Sequence, residues 1–66
     1  MDEQEKRREI ADQEASIRGW RAQQQNKKYH AQQEDSEQRK QALINEIAGL
    51  EAAITDAENR IRALKR

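Results

Sequence analysis

Seven residues in the last third of the chain recur with the period of a coiled coil. Leu43, Ile47, Leu50, Ile54, Ala57, Ile61 and Leu64 are spaced 4, 3, 4, 3, 4, 3. A helix completes a turn about every 3.6 residues, so this spacing lays all seven along one stripe. A strand cannot do this, because its faces alternate at every residue. In heptad notation abcdefg, Ile47, Ile54 and Ile61 take position a, and Leu43, Leu50, Ala57 and Leu64 take d. Ile44 at e and Ala53 at g widen the stripe. A widened stripe fits a bundle, or a second partner, better than a bare two-helix zipper.

The rest of the chain is built for helix but gives it less to pack with. Its 66 residues include no Pro and only two Gly, and most others are strong helix formers such as Ala, Glu, Gln, Lys, Arg and Leu. Acid-to-base pairs four residues apart recur at Asp2–Lys6, Glu3–Arg7, Glu14–Arg18, Asp56–Arg60 and Glu58–Arg62. Each supports a helix by about 0.2–0.5 kcal/mol. In the first half, Ile10, Ile17 and Trp20 share a face, but between Trp20 and Leu43 the only large apolar residue is Tyr29. The chain therefore divides, within one all-α domain over 1–66, into a weakly amphipathic helix at 1–25, a break within 26–36 and a heptad helix at 37–66.

The phase of the two stripes supports the break. Ile10 and Ile47 lie 37 residues apart, which is five heptads plus two. One unbroken stripe does not accommodate that remainder. The expectation is a coiled-coil helical hairpin that assembles with a partner. A hinge near 33–34 would set Trp20 near Ile47, Ile17 near Leu50 and Ile10 near Ala57. Asp35 would cap the second helix, with Gln38 completing a capping-box arrangement. The alternative is one continuous helix of roughly 100 Å in a dimeric coiled coil. The absence of Pro and Gly between Trp20 and Ala48 favours it.

Flanking charges bear on direction. A parallel homodimer pairs Glu46 with Glu51 and Arg60 with Lys65, which are like-charged. Antiparallel packing matches g with g and can bring Glu46 near Arg60. Exposed pairs differ by only a few tenths of a kcal/mol, but the preference is for antiparallel helices. A short chain with one narrow stripe buries a modest core. The expected partners are therefore another copy of the chain, as a dimer first, or a different protein. The packing interface comprises the seven stripe residues with Ile10, Ile17 and Trp20.

The residue inventory offers no catalytic chemistry. Cys is absent and His30 is the single histidine, which rules out Cys-based redox or metal chemistry and a multi-His site within one chain. No cofactor and no small-molecule substrate are expected. No apolar run approaches the roughly 20 residues needed to span a bilayer. The opening MDEQEKRREI is charged throughout and lacks the apolar core of a signal peptide. The expectation is no membrane association and a cytoplasmic or other intracellular setting.

Charge is balanced overall but unevenly placed. The formal net charge is zero, with −3 over residues 1–14, +4 over 15–33 and −1 over 34–66. The basic middle holds Arg18, Trp20, Arg21, Lys27, Lys28 and Tyr29, and Trp, Tyr and Arg are enriched at interface hot spots. Trp20 and Ile17 also suit packing on the second helix. The leading functional reading is a small non-enzymatic protein–protein interaction module: a regulator, inhibitor, adaptor or assembly factor. The alternative is a nucleic-acid-associated regulatory protein that uses the basic 18–28 segment, with Trp20 or Tyr29 stacking on a base.

Overall fold

A computed structural model describes residues 1–66. Two helices, α1 (Glu3–Gln33) and α2 (Glu37–Leu64), pack against each other as an antiparallel hairpin. The molecule measures 51 × 14 × 11 Å. A continuous helix would be about twice as long, so the hairpin is adopted and the rod is not.

Each helix starts on a polar side chain. Asp2 caps α1, its carboxylate accepting from the Glu5 backbone N–H at 2.8 Å. Glu3 and Glu5 add negative charge to the first turn, where the helix dipole favours it. α1 continues unbroken through Gly19 and Asn26 and ends at Gln33. The break is thus confined to Glu34, Asp35 and Ser36.

The cap of α2 is Ser36, not Asp35. Its hydroxyl accepts from the Arg39 N–H at 3.4 Å. Arg39 therefore holds the N3 position, and the capping box with Gln38 does not form. The Ser36 N–H donates to the Glu34 carboxylate at 3.0 Å, closing the turn without a glycine or a positive φ.

Burial shows why the chain folds here. Along α1 the inward positions are Lys6, Ile10, Gln13, Ile17, Trp20, Gln24, Lys27, Ala31 and Glu34. Along α2 they are Ser36, Lys40, Leu43, Ile47, Leu50, Ile54, Ala57, Ile61 and Leu64. Both stripes alternate steps of four and three without a gap, and the step between them, Glu34 to Ser36, is two. That step is the remainder in the Ile10–Ile47 spacing. Two helical residues rotate the chain by about 200°. An unbroken helix would aim its two stripes to opposite sides, and folding back brings them face to face.

A turn centred on Asp35 also moves the register. Each residue of α1 faces a residue of α2 about three positions later than a 33–34 hinge sets it. Gln24, rather than Trp20, lies against Ile47, with its amide on the Ile47 carbonyl at 3.2 Å. The register sets Trp20 opposite Leu50, Ile17 opposite Ile54 and Ile10 opposite Ile61. The anticipated pairings Trp20–Ile47, Ile17–Leu50 and Ile10–Ala57 are corrected accordingly.

The cross-helix charges follow the antiparallel direction. Glu9 meets Arg60 at 3.4 Å and Lys27 meets Glu46 at 3.4 Å. Glu46 and Arg60 thus bond to α1 and not to each other. On the opposite edge Arg21 reaches Glu58 at 3.1 Å. These pairs are largely solvated and contribute little to stability; they agree with the register rather than enforce it.

Candidate helix-packing interface

The hairpin seam has a small dry centre. Ile54 is 0% exposed and Ala57 4% exposed, and they are the only buried apolar residues. Leu43, Ile47, Leu50, Ile61 and Leu64 of α2, and Ile10, Ile17 and Trp20 of α1, are half-buried. The cause is geometric. In a two-helix layer each seam residue is covered by one facing helix, while its flanks meet water.

Polar groups complete the α1 side. Gln24 occupies an a position and is buried, at 8% exposure. Its amide nitrogen donates to the Ile47 carbonyl and, at 2.9 Å, to the Glu51 carboxylate. A buried amide without partners is costly, and here it has two. Lys27, at d, lays its aliphatic stem along the seam and carries its ammonium out to Glu46. No buried side-chain nitrogen or oxygen lacks a hydrogen-bond partner.

Sequence reasoning missed the seam roles of Lys6, Gln13, Gln24, Lys27 and Ala31. Apolarity could not reveal them, but phase could. Steps of seven from Ile10 and Ile17 lead to Gln24 and Ala31. Steps of seven either way from Trp20 lead to Lys6, Gln13, Lys27 and Glu34.

The second set of candidate residues does not form one cluster. Trp20 and Lys27 point into the seam, and Arg21 lies on the edge beside Glu58. Arg18 and Lys28 are exposed. Tyr29 is 60% exposed on the outer side of α1, with its ring edge-on to His30 at 5.8 Å between centroids. Two shallow clefts exist, one lined by Ala22, Gln23, Asn26 and Lys27, the other by Met1, Glu5, Arg8, Glu9 and Asp12. Neither contains a nucleophile beside a base, and no three metal-ligating side chains converge. No helix is long and apolar enough to cross a membrane.

No family model, curated protein or solved structure matches the chain. What the hairpin presents to other molecules is an incompletely covered seam, an exposed isoleucine beside it and two charged flanks. Ile44 is that isoleucine. It is 46% exposed at the e position of α2, on the edge that carries the Arg21–Glu58 pair.

Proposed function

We propose that the chain is a small non-enzymatic interaction module, acting by packing its helices on another helical surface, in the first instance a second copy of itself. The observation that supports this is the incomplete burial of the seam. Of its large apolar side chains only Ile54 is fully buried, and Ile44 lies outside the seam altogether. Two hairpins packed as a four-helix bundle would give the half-buried residues a second covering helix. Such a module works by occupying a surface, as a regulator, inhibitor, adaptor or assembly factor does.

Sedimentation and circular dichroism across concentration test the proposal. Helix content should rise as the chain associates, and a fully helical monomer at low micromolar concentration would refute it. Ile54 is the wrong place to perturb the assembly, since it lies inside the hairpin itself. Ile44→Glu is informative, because that side chain is spare in the hairpin. Covering its exposed half contributes about 1 kcal/mol, and a buried carboxylate adds a penalty. Association should weaken by at least about tenfold, with helicity at saturating concentration retained.

A further inference from the structure

We infer that the outward face of α1 is a docking surface for the phosphate backbone of duplex DNA. The inference draws only on the charges of α1, and because Lys28 lies opposite Ile44, DNA and a second hairpin covering Ile44 would compete for that edge. It starts from how α1 sorts its charges around the helix. Positions e, b and f, an arc of about 100°, carry Arg7, Arg8, Arg18, Arg21 and Lys28 against one acid, Glu14. The c and g positions carry Glu5, Glu9 and Asp12 and no Lys or Arg. All five bases are exposed.

The hairpin accounts for only one of them. Arg21 pairs with Glu58, while Arg7, Arg8, Arg18 and Lys28 have no carboxylate within 4.0 Å. Arg7 and Lys28 also gain nothing from the facing edge of α2. The register places them opposite Lys65 and Ile44. Lys27, basic in sequence, is spent in the seam on Glu46. The surface is therefore longer than the 18–28 segment and differently composed: Arg7 and Arg8 join it and Lys27 leaves.

The chemistry of this face selects among anionic partners. Arg7 to Lys28 spans about 31 Å along a straight helix, close to one turn of duplex DNA. Four of the five cations are arginines, whose planar forks match phosphate oxygens. Exposed Gln4, Gln25, Gln32 and Tyr29 add uncharged hydrogen-bonding groups on the same arc. A membrane surface needs large apolar residues among the cations, and this arc has only Ala11, Ala15 and Ala22 besides Tyr29. A protein partner needs an apolar centre to its interface, which is equally missing. Single strands need several aromatic platforms, and only Tyr29 is offered.

Fluorescence anisotropy of a labelled 20-base-pair duplex, titrated with the full chain at 50 and 200 mM salt, tests this. With four phosphate contacts, one from each base without a carboxylate partner, the affinity should fall about 150-fold between the two salts. Arg18→Gln combined with Lys28→Gln should reduce that fall to about 12-fold, at unchanged helicity. Arg7→Gln with Arg8→Gln, at the other end of the face, should do the same and guards against a folding defect in the first variant. Absence of binding at 50 mM salt overturns the inference, as does a salt response unchanged in both variants. Polyglutamate competing as well as DNA, charge for charge, would assign the face to an acidic protein instead. Comparable binding to phosphatidylserine vesicles would assign it to a membrane.

Discussion

Replacing Gln24 by Leu and by Ala separates what its volume contributes from what its hydrogen bonds contribute. The side chain is 8% exposed and donates to the Ile47 carbonyl and the Glu51 carboxylate. Ala removes one buried methylene, about 0.8 kcal/mol, and two hydrogen bonds of about 0.5–1.5 kcal/mol each. The carboxylate of Glu51 is solvated and the Ile47 carbonyl lies within a helix, so neither acceptor is stranded. The expected loss is therefore about 2–4 kcal/mol. Leu loses the same bonds but fills the position with apolar volume against Ile47, a gain of about 1.5–3 kcal/mol. The Leu variant should come close to the wild type and stand at least about 1.5 kcal/mol above the Ala variant. In a chain this short each kcal/mol moves the midpoint by about 4–8 °C. Thermal melts followed by circular dichroism at fixed concentration should then separate the two variants by about 6 °C or more. A Leu variant as unstable as the Ala variant would refute this account and make the amide's bonds the principal contribution.

Two further perturbations probe the seam and the turn. Ile54→Ala empties the one fully buried large side chain and should cost about 2–5 kcal/mol, while the same truncation at exposed Ile44 should cost clearly less in melts at the same chain concentration; equal losses at both sites would contradict the burial pattern. Inserting five helix-forming residues between Asp35 and Ser36 makes the two-residue step a full heptad and aligns both stripes on one face, so small-angle scattering should show a radius of gyration well above 15.3 Å; an insertion variant that keeps the compact dimension would refute the phase argument.

The α2 half of the fold is readable from sequence because seven of its nine seam residues, Leu43 to Leu64, are apolar and follow one another along the stripe. Four-three spacing and low polarity coincide there, and each makes the other visible. The hairpin itself is readable from one spacing, the 37 residues between Ile10 and Ile47. The α1 half is less so, because Gln13, Gln24 and Lys27 hold seam positions through amide bonds and aliphatic stems, which no hydropathy pattern registers. The turn lies a residue or two later than a 33–34 hinge for a related reason. Asp35 and Ser36 are both competent caps, and only the seam decides between them: Ser36 continues the α2 stripe back from Lys40 by four, and Asp35 does not. Arg18, Trp20, Arg21, Lys27, Lys28 and Tyr29 lie within one stretch, 18–29, but point in different directions around a helix. Their separation into seam, edge and outer face follows from rotation per residue once the phase of α1 is known.

The polarity of α1 limits what the hairpin gains from folding, and it also narrows the ways in which the hairpin can fold. A helix with Ile or Leu at every seam position could slide along α2 by one heptad at little cost. Gln24 makes the slide unfavourable. A slip of seven residues towards the turn places it beside Lys40 and Ile44, where no carboxylate takes the place of Glu51. A slip the other way offers it Glu58 but moves Trp20 from Leu50 onto the single methyl of Ala57. A single polar residue at an a position is a known means of setting register at a cost in stability, and Gln24 has the geometry for it. The same trade leaves the apolar side chains of α2 only half-covered, facing a helix with three large apolar residues. Register specificity within the chain and unsatisfied apolar surface outside it therefore share one cause, the polar seam of α1.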